Sequence, residues 1–456
     1  MRDIVTVSAA GISRRHLDDG DMTSRQRFIA IIALFGLFLD GYDLLILSGA
    51  LLGIVPYFQL KPVQVGILGA SAFFGMIVGS LVAGPLTDRF GRRPVFFADM
   101  LLFAITALLF VAVDSSGGLL MLRFLIGVAI GADMPTSLAI VTEFIPKHRR
   151  GRFLALGNGF WIGGAVVGGI VGVAVFSYVD PLVGWRWILV SGIVPSLILF
   201  FLRRDIPETP RWLFAQGRER EGSEVSRGAG FVPDAAELPQ ANVGRGLHFG
   251  ALFRNRSLLI ALVTMSIFWA IINFIGSAIL LYTPTVIKSL VTPSALTALQ
   301  FGVVINALVV VANIIASLWV IDRVGRRPLA IVPSVIIAFS LIAVAFGSQN
   351  SFVVIAGFAI VTILNSGFVV GAYYTWGSEL FPTSVRGRAI GISNAAGKFG
   401  SMLSVLQFPI FFAKSPMWSL LTLAGLVFFN VIMVAIFAPE TKGASLDELE
   451  ATSANA

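Results

Sequence analysis

The chain of 456 residues contains no cysteine. That excludes disulfides, thiolate metal sites and thiol catalysis. Three histidines, with no cysteine beside them, do not make up a structural metal centre. Charge is scarce too: 13% of residues are charged and 56% are hydrophobic, where soluble domains carry about 25% charged residues. The chain therefore reads as an integral membrane protein. Its polar opening segment, 1–26, lacks the apolar core of a cleaved signal peptide, so the first span is expected to act as the targeting signal. Nucleotide motifs are missing as well. In "GISNAAGKFG", five residues separate Gly391 from Gly397-Lys398 and Phe399 follows, whereas a phosphate-binding loop needs four and then Ser or Thr. No catalytic histidine, cysteine or metal cluster is visible, so the chain is read as neither an enzyme nor an ATP-driven pump, and no cofactor is expected.

What the chain has in abundance is apolar runs. Twelve come close to the ~20 residues a spanning helix needs, near 27–54, 64–87, 94–114, 117–141, 152–178, 186–203, 257–287, 297–321, 329–347, 352–377, 388–413 and 416–438. The expected fold is an all-α membrane protein. The loops alternate in chemistry. One set reads "DRFGRRP", "PKHRRGR", "DRVGRRP" and "PTSVRGR"; the other reads "VPYFQLKPVQ", "SSGG", "YVDPLVGW" and "SQNS". Of the 33 Lys and Arg, just Lys61, Arg186, Lys288 and Lys414 fall in or beside the second set. The positive-inside rule makes the arginine-rich side cytoplasmic, with both termini there. The net charge of +8 is then a topology signal. It implies contact with anionic lipid and not with nucleic acid.

The chain also repeats itself. Asp88-Arg89-x-Gly91-Arg92-Arg93-Pro94 recurs as Asp322-Arg323-x-Gly325-Arg326-Arg327-Pro328, and Glu143-x-x-Pro146-x-x-x-Arg150-Gly151-Arg152 recurs as Glu379-x-x-Pro382-x-x-x-Arg386-Gly387-Arg388. Two motifs at nearly one offset mean two related six-helix halves, 27–203 and 257–438. A polar cytoplasmic linker, 204–256, joins them, and 439–456 forms a cytoplasmic tail. Parallel repeats of this kind place a substrate site at their interface near mid-membrane. The duplicated acids and bases Asp88, Arg92, Glu143, Arg150, Asp322, Arg326, Glu379 and Arg386 sit at helix ends on the arginine-rich side. They suit a gating network that latches the halves when that side is shut.

Three acids lie inside spans. Asp40 and Asp43, in "LDGYD", are about 18–22 Å into span one at 1.5 Å per residue, and their spacing puts both near one face. Asp133 lies midway along span four. An ionised acid at that depth costs about 2.5–3.5 kcal/mol, and burial favours the protonated carboxyl. All three are candidate proton-coupling residues, with Asp43 favoured because it is deeper and Asp40 supporting it through mutual repulsion. Lys398, about ten residues into span eleven, needs an anion, supplied either by one of these acids or by the substrate. Three acids against one base favour an anionic guest. Arg123, six residues inside span four, is near enough to the end to snorkel. Asn158, Trp161, Trp269, Asn273, Tyr373 and Tyr374 offer hydrogen bonds and stacking faces to a cavity. Glycines in span five, from Gly159 to Gly172, let helices approach closely.

"GPLTDRFGRRP" (Gly84–Pro94) resembles the signature loop of the major facilitator superfamily. Arg123–Arg152, "PETPRW" (Pro207–Trp212) and "PETKG" (Pro439–Gly443) resemble its sugar-porter-like branch. "DGYD" and Lys398 within a Gly-base-x-Gly pattern resemble the aromatic-acid:proton symporters. "GADMPTS", Trp269 and "GISNAAGKFG" are similar to the phosphate:proton symporters, although Met134 replaces a Tyr and Asn273 an acid. The hexose porters' glutamine pair in span seven has no counterpart in "FWAIINFIGSAILLY". The resemblance implies twelve helices in two halves. It implies a secondary transporter in the plasma membrane, the inner membrane in a bacterium, working as a monomer on protons and a small-molecule substrate. An organic or aromatic carboxylate fits Lys398 and the aromatic walls best. The alternatives are a phosphate or a sugar or polyol transporter, a facilitator without proton coupling, or a non-transporting sensor.

Overall fold

The computed structural model describes residues 22–145, 147–229, 253, 255–316, 320–381 and 383–440. Twelve helical stretches are long and apolar enough to cross a membrane: Ser24–Phe58, Pro62–Phe90, Arg92–Ala112, Ser116–Leu138, Leu156–Tyr178, Pro181–Asp205, Arg256–Leu290, Ala295–Ile315, Arg326–Phe346, Ser351–Tyr373, Arg388–Lys414 and Pro416–Phe437. They match the twelve apolar runs in number and order. Two are less regular than the sequence suggests. The sixth breaks at Ser191–Gly192 into Pro181–Val190 and Ile193–Leu202. The tenth contains a π-helical segment, Asn365–Val369. Within the linker lie two short helices, Pro210–Ala215 and Glu219–Gly228.

Packing repeats as the sequence does. The first span packs on the fifth and the seventh on the eleventh; the halves then meet through spans two and eleven, five and eight, and one and seven. Close approach rests on missing side chains. A Cβ on Gly75 would strike the backbone of Phe124, and one on Gly127 the backbone of Ala72, so the second and fourth spans lie backbone to backbone. Of the span-five glycines, Gly164 and Gly168 serve in this way against Phe38 and Tyr42 of span one, and Gly172 lies against Leu299 of span eight.

Described contacts between the halves gather toward the arginine-poor end. Ser48 donates to the Leu281 carbonyl at 2.7 Å, Gly49 faces Leu299, and Gly66 faces Leu406.

The duplicated loops form duplicated cradles at the other end. Gly91 (φ 97°) and Gly325 (φ 96°) turn the chain between helices. The Glu208 carboxylate accepts from the Arg92 and Arg93 amides at 3.0 and 3.1 Å. Glu440 accepts from the Arg326 and Arg327 amides at 3.0 and 2.9 Å. Each acid caps a helix N-terminus, where free N–H groups and the helix dipole favour a negative charge. Pro207-Glu208-Thr209 and Pro439-Glu440-Thr441 are thus a third duplicated motif, tied in space to the first. A Cβ at Gly325 would meet the Glu440 carboxylate, and its backbone angles are essentially confined to glycine. Gly325→Ala is therefore expected to cost about 1–3 kcal/mol, read as a lower melting temperature of purified protein; an unchanged midpoint would refute the cradle's importance.

Candidate functional site

Span one carries the site's acids because it is buried on nearly every side from Ile29 to Ile54. Asp43 is fully buried and accepts from Arg123 Nη1 at 2.7 Å, with neither side chain exposed. Arg123 therefore does not snorkel: its guanidinium turns inward because a desolvated carboxylate lies one helix away. The repelling Asp40–Asp43 pair expected from spacing is accordingly offset by a cation. Asp40 is 4% exposed, and its neighbour Gly41 packs against the Trp161 backbone of span five. Asp40 feels the charges of Lys398, Asp43 and Asp133. Its Oδ1 has no hydrogen-bond partner.

Lys398, from the other half of the molecule, is one of the charges that act on Asp40. Its Nζ also lies 3.7 Å from Met76 Sδ of span two. Next to Lys398, Gly397 leaves room for Trp269 and Asn273. Trp269 and Tyr373 stack at 3.7 Å between centroids and 7° between planes. Asn273 donates to the Trp269 carbonyl at 2.9 Å, and Tyr373 donates to Asn394 at 3.5 Å. Asn158, like Trp161, lies half-buried on span five. Trp269, Asn273 and Tyr373 thus form one polar–aromatic cluster in the second half, against Gly397 beside Lys398.

Asp133 is placed differently. It is engaged by Arg203 Nη2 at 2.7 Å, and Arg203 also holds Asp99 at 3.0 Å through Nη1. Asp99 and Arg203 were missed by the sequence reading. The signal for Asp99 was a carboxylate inside the run 94–114; Arg203 was read as a topology charge because it closes a span. The π segment puts Asn365 beside Gly276 of span seven, a local irregularity of a kind common at functional sites.

In the gating set, Arg326 pairs with Glu379 at 2.8 Å within the second half. The Arg92 guanidinium reaches Thr209 at 3.5 Å, and the Asp88 carbonyl accepts from the Trp212 indole at 3.0 Å. The side chains of Glu143, Arg150, Asp322, Tyr374 and Arg386 lie outside the described residues. Two open grooves, of about 760 and 320 Å³, flank spans three and six and the linker helices. They lie away from the interface between the halves.

Residues 29–452 match the family model described as sugar (and other) transporter. A protein of Escherichia coli (strain K12) named for metabolite transport, YaaU, is 30% identical over 434 residues, covering 95% of this chain and 96% of that one. The arabinose-proton symporter of Bacillus subtilis (strain 168) is 30% identical over 453 residues, covering 92% and 94%. The niacin transporter NiaP of Acinetobacter baylyi is 26% identical over 431 residues, covering 91% and 94%. Among solved structures, the inward-open conformation of the xylose transporter XylE from E. coli superposes with a TM-score of 0.78 at 21% identity. It covers 94% of this chain and 99% of that one, and so shares the fold.

Removing one partner of a buried ion pair strands the other. Arg123→Gln is expected to lower stability by about 3–5 kcal/mol, and the double variant Asp43→Asn, Arg123→Gln to recover much of that loss. Thermal melts of the three variants test this; a double variant no more stable than Arg123→Gln would dissolve the pair.

Proposed function

The chain belongs to the sugar (and other) transporter family, within the major facilitator superfamily, and from that premise we propose that it is a proton-coupled symporter of a small organic carboxylate. One observation carries the reading: the Lys398 ammonium of the second half reaches into the first, 3.7 Å from Met76 Sδ of span two, where its charge acts on Asp40. A substrate carboxylate that takes Lys398 as its partner withdraws that cation from Asp40. The Asp40–Asp43 pair is then left with an excess negative charge, which a proton neutralises. Anion and proton binding are in this way linked through one electrostatic contact. Asp43 is the favoured seat of the proton, because its charge holds span one to span four through Arg123. Protonating it weakens that hold and permits the halves to change their contacts.

Trp269, Tyr373 and Trp161 supply walls for an aromatic or apolar substrate body, and Asn158 and Asn273 its hydrogen bonds. The relative named as a niacin transporter is consistent with a carboxylate. A second reading, a sugar or polyol, is favoured by the charge that Lys398 and Asp40 offer each other, which leaves the asparagines and aromatics to a neutral guest. The relative named as an arabinose-proton symporter is consistent with that. In either case the arginine-rich side is cytoplasmic. Asp88, Arg92, Glu143 and Arg150, with Asp322, Arg326, Glu379 and Arg386, latch the arginine-rich end when it is shut.

Asp43→Asn is expected to abolish uphill accumulation driven by an inward proton gradient in proteoliposomes while preserving exchange with equal substrate on both sides. Continued accumulation by this variant and by Asp40→Asn would overturn proton coupling through span one. Lys398→Ala is expected to eliminate the thermal shift produced by a carboxylate ligand; loss of a sugar-induced shift instead, with carboxylates inert, would select the second reading. For the latch, Asp88→Asn should increase labelling of single cysteines introduced at the arginine-rich end, against a native background with no cysteine. Unaltered labelling removes Asp88 from the gate.

A further inference from the structure

The cluster of Asp99, Asp133 and Arg203 has no part in the reading above, and its composition is unbalanced. The Arg203 guanidinium is fully buried. Its Nη1 donates to Asp99 Oδ1 at 3.0 Å and to the Phe96 carbonyl at 2.9 Å, and its Nη2 lies 2.7 Å from Asp133 Oδ1. The Phe96 ring lies 3.4 Å from the guanidinium carbon, and closes that face to water. Both acids are 3% exposed. One cation therefore serves two carboxyl groups.

The second oxygen of Asp99 has no partner, and the Asp99 and Asp133 carboxyls are held close together by the two terminal nitrogens of one guanidinium. Two ionised carboxylates held on one guanidinium away from water repel, and a single proton on the pair removes the repulsion. It also supplies the missing donor for the orphaned oxygen. Ser137 donates to Asp133 at 3.2 Å, so that acid still has a donor for its charge. Span one closes the cluster with Gly36: a Cβ there would overlap Asp133 and Arg203.

The charged groups around the two acids are few. Arg203 faces them from span six, and Asp40 acts on Asp133 from span one. Beyond Asp40 along span one lies the Asp43–Arg123 pair. Spans two and five, from Pro62 to Thr87 and from Leu156 to Tyr178, contain no charged residue.

We propose that Asp99 and Asp133 share one buried proton beneath Arg203, forming a second proton site that exchanges protons between Asp40 and the arginine-rich end of the molecule. The site lies on the route from that end: Asp99 is seven residues into the helix Arg92–Leu109, and Arg203 closes the helix Ile193–Leu202. Asp133 then links it electrostatically to Asp40.

The test is infrared spectroscopy of the purified full-length protein in H2O and D2O, combined with flux. The intact protein should show a protonated-carboxyl C=O band that shifts in D2O. Asp99→Asn and Asp133→Asn should each delete the same single band, since either leaves one acid ionised against Arg203. Asp40→Asn should leave that band in place. Arg203→Gln should add a second protonated-carboxyl band. Persistence of the band in both aspartate variants overturns the shared proton; should one fail to fold, the other decides alone. This arm stands whether or not the transport reading holds. The flux arm rests on that reading: Asp99→Asn should slow proton-driven accumulation while equal-substrate exchange continues. Loss of the band with accumulation undiminished would make the proton static and overturn its exchange role. Failure of the intact protein to couple any flux to protons would instead indict the proposed function.

Discussion

A charge inside the membrane must find an opposite charge, and that requirement organises the first half of this molecule. Arg123 and Arg203 are both fully buried, and each bridges helices by its carboxylate partners: span four to span one, and span six to spans three and four. Hydrophobic burial cannot hold these helices in register, because lipid tails are as apolar as leucine side chains. Close glycine packing and paired charge supply what the hydrophobic effect does not. Removing one partner costs more than the pair contributes, since the survivor remains desolvated. The pairs therefore specify which helix lies beside which.

At the arginine-rich end the same logic uses backbone in place of side chains. Glu208 and Glu440 each accept two amides at a helix start. Each comes from a segment far along the chain: the linker closes the first cradle and the tail closes the second. Internal duplication thus reaches beyond the helices to the segments that follow each half. A tail acid holding a span-nine helix fixes the end of the second half, much as the linker acid fixes the first.

The fold was legible because its signals are long. Twelve apolar runs and two duplicated loops each span many residues, and membrane insertion leaves little freedom to reinterpret them. Span interiors were less so. The break at Ser191–Gly192 and the π segment at Asn365–Val369 answer to local packing, which periodicity does not encode. Of the site, the existence of buried acids and of Lys398 could be read from one chain, but the pairings could not. Asp43 meets Arg123 eighty positions away, and Asp133 meets Arg203. Spacing within one helix pointed instead to an Asp40–Asp43 pair. Asp99 was passed over because a single acid in a long apolar run looks minor until its neighbours are known, and Arg203 because an arginine at a span's end has a sufficient reason to be there.

The pairings, taken together, leave an uneven count, and the unevenness bears on coupling. In the first half, Asp40, Asp43, Asp99 and Asp133 face Arg123 and Arg203; Lys398 is the counter-charge brought from the second half. With the proposed Asp99–Asp133 proton in place the remaining charges balance, but only while Lys398 reaches into the first half. A movement that separates the halves at that depth, or an anion that occupies Lys398, leaves a carboxylate uncompensated in a dry site. Such a carboxylate regains balance by binding a proton or by drawing the lysine back. In the proposed symport, the first outcome would carry substrate and proton together, and the second would return the empty protein. An acid and a base placed on opposite halves thus make the energetic cost of moving depend on what is bound, which is the physical requirement for coupled transport.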